Sequence, residues 1–572
     1  MYTTSTAILE ALHEAGVTCV FANLGSDHSA FLETLAEASA SGRRDAFPRL
    51  ITCPDEMVAL SAAHGYAQAS GRAQAVLVHV ECGTQQLGGA LHNAAKGRAP
   101  VLILAGMSPA TQEGEAKGSR NEFIHWIQDV FDQRGIVRGY VRYAHEIRMG
   151  ANAKQIVHRA LQFASSEPQG PVYLTAAREV LEAEVAPVAI ERAEWPRIAP
   201  TALAPDAAAD IARKLATARR PLIVTTYVGR NPGAVLELQG LCHRLGIGVL
   251  ESVPSCVNFP ATDPLHQGSQ WNERRQNQAL AEADTILVID SDVPWIPLVN
   301  HPSPSARILH IDTDPLKEQM PLWYIHARQM YRADAGLALR QINQQLDTLP
   351  IDAAAVAERA AHYARRHAER CSELERLESR PSEGLTPEYL TACVRHAIGE
   401  RAIVLSEGVT NFHVIANHAG RVRPGTLYTQ GAGSLGWSGG AAVGAKLARP
   451  HDLIVALTGD GSYMFSVPSA VHWMARRYHT PFLQVVYNNR GWRAPKFSML
   501  GVHPEGFGSR TEDLDVSFEP PPDYAGIAAA AGGALAETVH TADELDPALE
   551  RALHAVREEG RSAVIDAWLP HL

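Results

Sequence analysis

Short runs of apolar residues alternate along the chain with longer segments in which apolar residues recur every three or four positions. In the first third, the apolar runs are VTCVFAN, AQAVLVHVE, APVLILAGM and GPVYLTAA. Short apolar runs predict buried strands, whereas a period near 3.6 residues predicts amphipathic helices. Regular alternation of the two is typical of an α/β domain with a mostly parallel sheet, which we expect over residues 1–182.

Two breaks in this pattern divide the rest of the chain. Residues 183–205 contain four prolines and are expected to form a linker. A second α/β segment spans 205–350, and a charged, alanine-rich helical linker over 351–386 contains a second break, RPSEGLTP. The third α/β segment covers 387–572. The fold class we predict is therefore α/β, with three doubly wound parallel-sheet domains.

Composition narrows the range of partners. The 572 residues are 46% hydrophobic and 20% charged, with a net charge of −11, which argues against nucleic acid or an anionic membrane surface as a partner. The first residues predict an amphipathic helix carrying Glu10 and Glu14, unlike a signal peptide, and no apolar run approaches the ~20 residues that span a bilayer. Seven cysteines without CxxC spacing fit reduced thiols. We expect a cytoplasmic protein that binds neither nucleic acid nor a membrane.

The strongest local motif lies in the third domain. An apolar run at 453–457 leads to Gly459-Asp460-Gly461, and the next run, at 482–487, leads to Asn488-Asn489. Because parallel strands end at one edge of a sheet, Asp460 and Asn489 are expected to lie close together. Carboxylate, amide and backbone oxygens suit Mg²⁺, which commonly also binds diphosphate, and glycines let backbone amides approach that group. An ordinary βαβ unit without a cofactor is the alternative.

This motif resembles the metal and diphosphate signature of thiamine-diphosphate enzymes, in the group of acetolactate synthase, benzoylformate decarboxylase, pyruvate decarboxylase and the 2-hydroxyacyl-CoA lyases. Three α/β domains with the motif in the last match that group over nearly the whole chain. The resemblance implies thiamine diphosphate and Mg²⁺ as cofactors. It implies that the metal is held by Asp460, Asn489 and the carbonyl of Gly491, and that the diphosphate contacts Gly459, Gly461 and Ser462.

Two further segments of the last domain fit the same resemblance. Residues 406–411, SEGVTN, are similar to the EGAN-type turn of the acyl-CoA-handling lyases, which implies diphosphate contacts from Gly408 and Asn411. A simple turn and helix cap is the alternative there. The segment GAGSLG resembles the pyrimidine-binding loop, with backbone presented by Gly433 and with Leu435 as the apolar side chain beneath the bend of the cofactor.

The first domain supplies a candidate catalytic acid. Glu56 opens a predicted helix and lies nine residues before Gly65. It resembles the activating glutamate of the family, which bonds a pyrimidine ring nitrogen and so favours the tautomer of the cofactor that removes the reactive proton. An acid in the first turn of a helix is otherwise typical of a partner of the helix dipole.

Three more residues of the first domain are candidates for contact with the substrate. VFANLGSDHSAFL is similar to the serine-bearing segment of benzoylformate decarboxylase, which implies a role for Ser26, and His79 lies where that enzyme has a catalytic histidine. Gln128 occupies the place of a glutamine in acetolactate synthase. Alternatives stay open: a helix N-cap for Ser26, a buried structural histidine within a strand for His79, and a loop or interface role for Gln128.

The central domain and the segment after Asn489 carry weaker signals. Relatives bind a flavin, an ADP-like group or nothing in the central domain, and neither YVGRNPGA nor HIDTDP is a dinucleotide fingerprint, so FAD is left open. Residues 490–510 are rich in glycine and proline, and we expect a loop there that shapes substrate specificity. A solvated basic loop is the alternative.

The predicted function is a thiamine-diphosphate-dependent carbon–carbon lyase or carboligase acting on 2-oxo acids, with decarboxylation or carboligation as in acetolactate synthase. A 2-hydroxyacyl-CoA lyase is the alternative, and a non-catalytic homologue is a third. In the family, the glutamate and the metal motif of one active site come from different subunits. The resemblance therefore implies a homodimer or homotetramer with active sites at subunit interfaces.

Overall fold

Three six-stranded sheets follow one another along the chain. The structure, a computed structural model, describes residues 1–272, 275–511 and 514–571. Every strand pair within the three sheets is parallel, and helices connect the strands. The predicted fold class, three parallel-sheet α/β domains, is confirmed. Within the described residues, no helix combines the length and the apolar character needed to cross a bilayer.

The first domain is built on six strands and eight α-helices. Its strands are β1 (Cys19–Ala22), β2 (Arg49–Thr52), β3 (Gln74–Val78), β4 (Val101–Met107), β5 (Tyr143–Ile147) and β6 (Val172–Ala177). Its helices are α1 (Thr4–Glu14), α2 (Ser29–Ala40), α3 (Glu56–Ser70), α4 (Val80–Gln86), α5 (Gly88–Lys96), α6 (Ile124–Ile127), α7 (Ala153–Ser165) and α8 (Arg178–Glu182). The strand order is β2-β1-β3-β4-β6-β5, so β1, β3, β4 and β6 are interior strands.

The central domain has the strand order β12-β11-β10-β7-β8-β9. These strands are β7 (Pro221–Thr225), β8 (Gly248–Ser252), β9 (His266–Gln270), β10 (Thr285–Ile289), β11 (Arg307–Asp312) and β12 (Gln329–Arg332). The helices are α9 (Pro205–Thr217), α10 (Pro232–Leu245), α11 (Gln278–Glu282), α12 (Ala335–Gln345) and the long α13 (Ala353–Leu377), which leads into the last domain.

The last domain carries the predicted metal motif. Its strands are β13 (Ile403–Glu407), β14 (Leu427–Thr429), β15 (Ile454–Gly459), β16 (Leu483–Asn488), β17 (Leu535–Val539) and β18 (Ala563–Trp568), in the order β14-β13-β15-β16-β18-β17. Its helices are α14 (Pro387–Ile398), α15 (Phe412–His418), α16 (Trp437–Ala448), α17 (Asp460–Phe465), α18 (Pro468–Tyr478), α19 (Arg493–Val502), α20 (Tyr524–Gly532) and α21 (Ala542–Arg557).

An ion-pair cluster joins the first domain to the central one. The guanidinium of Arg98 lies 2.5 Å from Asp290 and 2.9 Å from Asp292, and the amine of Lys317 lies 2.6 Å from Asp312. Asp290 follows β10 and Asp312 ends β11, so the cluster occupies the carboxyl-end edge of the central sheet. A buried charge that loses its partner costs about 3–5 kcal/mol, and the cluster therefore holds the two domains in one orientation.

Small residues let α3 of the first domain pack directly on α16 of the last. A Cβ at Gly444 would lie 1.8 Å from the carbonyl oxygen of Ala62, and a Cβ at Gly65 would lie 2.3 Å from that of Ala441. Such distances leave no room for a methyl group unless the backbones separate. The helices that begin at Glu56 and at the predicted pyrimidine loop are thus in backbone contact.

We expect Gly444→Ala to destabilise the protein by about 1–3 kcal/mol or more, because the added methyl overlaps a backbone oxygen that cannot rotate away. Denaturant unfolding of the two proteins measures this difference. Gly88→Ala is the matched control, since Gly88 begins α5 with no heavy atom within 4 Å of the added Cβ. Equal stability of Gly444→Ala and the parent protein would contradict the packing described.

Candidate active site

Adjacent parallel strands bring the two predicted metal ligands to one edge of the last sheet. Val455 of β15 pairs with Leu483 of β16, so the strands end together, one at Gly459 and the other at Asn488. Asp460 and Asn489 follow directly, and both side chains are buried. Asp460 accepts hydrogen bonds from the amides of Gly461, at 2.7 Å, and Gly491, at 3.0 Å. The motif is therefore folded into one polar crevice.

The electrostatics of this crevice suit a bound cation. Burial raises the pKa of Asp460 to about 6, and the described residues place no cationic side chain in an ion pair with it. The side-chain nitrogen of Asn489 is buried without a hydrogen-bond partner among the described residues, which leaves a donor for a ligand oxygen, whereas a cation would bind the side-chain oxygen. Mg²⁺ prefers one or two carboxylates plus neutral oxygens, so Asp460 and Asn489 fit it. The carbonyl of Gly491 accepts from the amide of Arg493 at 3.1 Å and keeps a second lone pair.

The described residues contain no group of three or more His, Cys, Asp or Glu side chains arranged to hold a metal. Asn488, the other asparagine of the pair, has a different role: its side chain donates to Asp566 at 2.9 Å. The lack of a side chain at Gly461 lets the Trp492 ring lie close to its backbone, since a Cβ at Gly461 would be 2.9 Å from the ring nitrogen.

A buried glutamate that the sequence reasoning missed organises the neighbouring loop. The carboxylate of Glu407, at the end of β13, accepts hydrogen bonds from the amides of Gly436 at 2.6 Å, Trp437 at 3.0 Å and Ser438 at 2.6 Å. Burial raises its pKa to about 7. Glu407 therefore anchors the start of α16 against the turn that contains Gly408. The sequence contained a signal for this role, because Glu407 ends an apolar strand, and a buried carboxyl group at such a position needs hydrogen-bond partners.

The predicted pyrimidine loop is fastened to the first domain as well. The side chain of Asn93, on α5, donates to the carbonyl of Ser434 at 2.8 Å and accepts from its amide at 3.1 Å. On either side of Ser434, Gly433 is exposed with open space around it, and Leu435 is half-buried. Gly433 and Leu435 therefore lie at the accessible surface of the loop.

The remaining predicted diphosphate residues lie close to the same crevice in the fold. Ser462 is buried in α17, directly after Asp460 and Gly461. Asn411 is buried at the N-cap of α15, which follows the Glu407-Gly408 turn. β13 and β15 are neighbours in the sheet, so the two turns occupy one edge.

The structure gathers a second group of polar residues in the first domain, around His79. Its Nδ1 lies 2.6 Å from the carboxylate of Asp27, and its Nε2 lies 3.0 Å from the side-chain oxygen of Gln128. Because both ring nitrogens face oxygen acceptors, this arrangement favours the protonated imidazolium. The hydrogen bond to Asp27 raises the pKa of His79, with smaller contributions from Gln128 and Glu56.

Asp27 was not among the predicted site residues, although it adjoins Ser26. Its other oxygen accepts from the amide of Val80 at 3.1 Å. Burial alone would raise the pKa of Asp27, but the charges and hydrogen bonds of His28 and His79 keep it below its usual range. In the sequence, only the segment GSDH pointed to Asp27. Its position as a buried carboxylate between two histidines can be recognised only in the tertiary structure.

Ser26 and Gln128 face the same region from other elements. The hydroxyl of Ser26 lies 3.1 Å from Nε2 of His125, and burial followed by the charge of Arg178 lowers the pKa of His125, which favours its neutral form. The side-chain nitrogen of Gln128 is buried without a hydrogen-bond partner among the described residues. It is therefore free to donate to an oxygen of a ligand.

Glu56 is the first residue of α3, behind the N-cap Asp55. Its carboxyl oxygen lies 3.0 Å from the position of a Cβ at Gly83, so the glycine makes room for it. Burial raises the pKa of Glu56, and the charge of Asp55 adds to the effect. Among the described contacts, no hydrogen bond or ion pair links Glu56, Ser26, His79 or Gln128 to the Asp460 crevice.

Two local predictions were wrong. His79 does not lie within a strand, because β3 ends at Val78 and His79 is the N-cap of α4. The chain turns there because Val80 has φ +29°, a strained conformation for a β-branched residue that is typical of functional sites. The expected loop over 490–510 contains the ten-residue helix α19, in which Pro495 occupies the first turn, where a missing amide hydrogen is tolerated.

Replacing Asp27 by asparagine is expected to lower the pKa of His79, because the carboxylate hydrogen bond that raises it is lost. A step that needs protonated His79 fails as pH rises through this pKa, so the alkaline limb of the pH–rate profile should move to lower pH. Asp129→Asn is the control: it removes an exposed carboxylate next to Gln128 that pairs with Arg120. An alkaline limb that stays in place in Asp27→Asn would exclude this role.

Comparison with known proteins agrees with the geometry. Residues 2–136, 208–341 and 408–567 match the N-terminal, central and C-terminal domains of thiamine pyrophosphate enzymes. Benzoylformate decarboxylase of Pseudomonas aeruginosa is 27% identical over 97% of this chain and 98% of its own, and sulfoacetaldehyde acetyltransferase of Castellaniella defragrans is 25% identical over 99% and 92%. Acetolactate synthase of Bacillus subtilis is 22% identical over 96% and 90%.

Solved structures show the same fold. The thiamine diphosphate-dependent 4-hydroxybenzoylformate decarboxylase of Rhodococcus jostii RHA1 superposes with a TM-score of 0.78 at 23% identity, covering 100% of this chain and 99% of its own. Domain matches in the expected order account for most of the chain, and they include both the Glu56 region and the Asp460 crevice. The chain therefore belongs to the thiamine pyrophosphate enzyme family.

Proposed function

We propose that the chain is a thiamine-diphosphate- and Mg²⁺-dependent decarboxylase or carboligase of 2-oxo acids. The observation that carries this proposal is His79, which is held between Asp27 and Gln128 in a charged form suited to moving a proton. When bound, thiamine diphosphate supplies the electron sink for the carbon–carbon bond that breaks. The residues of this chain then bind and orient the substrate and supply the proton.

The first domain is assigned the proton chemistry. The Glu56 carboxyl, half-buried and with a raised pKa, suits a hydrogen bond to a pyrimidine nitrogen. His79 holds a proton at Nε2, 3.0 Å from Gln128, for transfer to or from a substrate-derived oxygen or carbon. The unpartnered amide of Gln128 and the hydroxyl of Ser26 are assigned to substrate oxygens.

The last domain is assigned to cofactor binding. Asp460, Asn489 and the carbonyl of Gly491 are assigned to Mg²⁺. The diphosphate is assigned to Gly408, Asn411, Gly459, Gly461 and Ser462. The aminopyrimidine and the bend of the cofactor are assigned to Gly433 and Leu435. Buried Asp460 supports this assignment, since a divalent ion offsets the cost of its buried charge.

A complete active site is proposed to need two copies of the chain. Within the described residues of one chain, no hydrogen bond or ion pair joins Glu56 or His79 to the Asp460 crevice, although Asn93 of the first domain bonds Ser434 of the last. Apolar side chains are exposed beside both groups: Phe123 is 80% and Ile127 73% exposed near Gln128, and Phe507 is 96% exposed after α19. Association of two copies would cover such surfaces, which single soluble chains rarely leave open.

An apolar cavity of about 640 Å³ adjoins the Glu407-Gly408 turn and supports a bulky substrate. Val409 and Thr410 line one side of it, and Phe497 of α19 and Trp271 line others. The Trp271 ring stacks on Phe412 with centroids 4.1 Å apart. An aromatic lining favours a 2-oxo acid with an aryl or large apolar side chain over pyruvate.

We expect benzoylformate to be decarboxylated with a kcat/KM at least about 10-fold above that for pyruvate, because burying extra apolar surface in such a pocket contributes about 1–3 kcal/mol. Carbon dioxide release from each acid, with thiamine diphosphate and Mg²⁺ present, measures this ratio. A preference for pyruvate would contradict the substrate assignment. Turnover of a 2-hydroxyacyl-CoA, with neither acid used, would overturn the proposed reaction in favour of a lyase.

A further inference from the structure

A second cavity, of about 560 Å³, lies where the three domains meet. One wall is the carboxyl end of α3, around Gly71, and another is the turn from Gly229 to Pro232 before α10. The third wall belongs to the last domain, where Ile403 begins β13 and Thr426 precedes β14. Strand starts and strand ends lie on opposite edges of a sheet, so this cavity lies across the sheet from Asp460.

Its lining is strongly positive. Among the described residues around it, the charged side chains are Arg230, Arg401, Arg423, Arg449 and Asp452. Four guanidinium groups face one carboxylate in a chain whose net charge is −11. A local excess of cations in an acidic protein concentrates anions at that place.

Part of this charge is already paired, and part is not. Arg449 bonds Asp452 at 2.7 Å, and Arg230 bonds Glu167 at 2.8 Å. The described contacts give no hydrogen bond or ion pair to the guanidinium groups of Arg401 and Arg423, which are exposed at the cavity. The Nε of Arg230 is buried and likewise has no partner within the described part of the chain.

We propose that this cavity binds a compact polyanion with two or more negative charges, of the phosphate-ester or polycarboxylate class. A planar guanidinium presents paired donors that match phosphate and carboxylate oxygens. Arg401 and Arg423 supply two such groups without breaking a described pair. The amino end of the 14-residue helix α10, which begins at Pro232 in the wall, adds the positive end of a helix dipole.

The walls of the cavity connect directly to both halves of the cofactor machinery. Helix α3 runs 15 residues, about 22 Å, from Glu56 to the cavity. Helix α16 begins beside the pyrimidine loop and ends one residue before Arg449. The side chain of Gln68 donates to the carbonyl of Thr429 at 3.0 Å, four residues before Gly433. An anion at the cavity would therefore contact elements that reach the residues assigned to the cofactor, and the coupling we infer is reciprocal by linkage.

Calorimetric titration tests the site. The protein is first saturated with thiamine diphosphate at constant free Mg²⁺, so that the diphosphate crevice is filled, and is then titrated with citrate or with ADP. We expect one site per chain, with affinity at least 10-fold weaker in Arg401→Ala/Arg423→Ala. The matched control is Arg328→Ala/Arg365→Ala, which removes two exposed arginines of the central region with no described partner.

If only citrate binds, the site is selective for polycarboxylates, and if only ADP binds, it is selective for phosphate esters. If both bind, the site recognises negative charge without selecting its chemical class. Each of these three results supports the proposal. Absence of saturable binding overturns it, as does equal binding by both double variants. The measurement needs no turnover, so it is independent of the proposed reaction. A failed decarboxylation assay leaves it intact.

The coupling has its own readout. The dissociation constant of thiamine diphosphate is measured with and without a saturating concentration of the anion that binds. We expect a change of about 5-fold or more in the parent protein, the lower range of typical allosteric coupling, and none in Arg401→Ala/Arg423→Ala. The same response in both proteins would show competition at the diphosphate crevice and would overturn the coupling.

Discussion

Replacing Glu56 with glutamine is expected to lower kcat by about 10²–10⁴-fold, the usual range for the loss of a positioned proton-transfer group. The amide keeps the size of the side chain but cannot share a proton with a pyrimidine nitrogen. Because burial already raises the pKa of Glu56, removal of its charge should leave stability unchanged or slightly improved. Steady-state turnover at saturating cofactor, together with the melting temperature, measures both effects.

Asp55→Asn is the matched control for this variant. It makes the same carboxylate-to-amide change one residue earlier, and the asparagine still caps α3 by accepting the Val58 amide, now 3.0 Å from Asp55. Turnover should remain near that of the parent protein. If Glu56→Gln retains full turnover, the acid is only a partner of the helix dipole and takes no part in the proton chemistry.

Asp460→Ala is expected to lower the Mg²⁺-dependent affinity for thiamine diphosphate by about 100-fold or more. Mutation of a residue that only hydrogen-bonds to a metal ligand already lowers metal affinity by about 10–100-fold. Asp460 is itself the one carboxylate assigned to the ion. Titration calorimetry measures the loss directly. The rise in melting temperature that cofactor and Mg²⁺ together give the parent protein should also disappear.

Asp566→Asn provides the comparison. Asp566 is a nearby acid with a pKa raised by burial to about 6, but it bonds Asn488 and is not assigned to the ion. Asparagine keeps one acceptor oxygen for the Asn488 bond and loses the 3.2 Å bond from the Trp568 ring nitrogen, so cofactor affinity should stay within about 10-fold of the parent protein. Undiminished binding by Asp460→Ala would mean that the crevice does not hold the metal.

The two variants together test the shared active site. If Glu56 and Asp460 of one site come from different copies, co-expressed Glu56→Gln and Asp460→Ala chains form mixed dimers with one intact site. Random pairing then restores about a quarter of the parent activity, whereas each variant alone stays inactive. No recovery in demonstrably mixed dimers would place both residues of a site in one chain.

Domain architecture was readable from the sequence because each interior strand is buried on both faces and forms an apolar run. Edge strands were harder to predict. The strand YAHEI, which is β5, was absent from the predicted runs of the first domain and lies at the margin of its sheet. HQGSQ and QMYR, which are β9 and β12, lie at the margins of the central sheet and likewise form no apolar run. β5 and β12 are incompletely covered, so polar residues are tolerated there and the apolar signal is lost. β9 is largely buried, and its polar side chains are tolerated because they are hydrogen-bonded, as His266 is to Glu251.

The crevice that contains Asp460 and Asn489 was likewise predictable, since both residues directly follow a strand, and adjacent parallel strands end at one edge. Local pattern thus determined which residues form strands and which side chains those strands deliver to an edge. It could not determine partnerships between distant segments. Asp27 meets His79 across 52 residues, and Glu407 meets the start of α16 across about thirty.

Tertiary packing alone decided the charged state favoured for His79, the anchoring of the predicted pyrimidine loop by Asn93, and the cavity that Arg401 and Arg423 line together with the end of α3. The physical reason is the range of each signal. Hydrophobic periodicity reports how one segment is buried, whereas the pKa of a side chain and the charge of a cavity depend on groups brought within a few ångströms by the packing of separate domains. Such neighbours leave no pattern in either segment taken by itself.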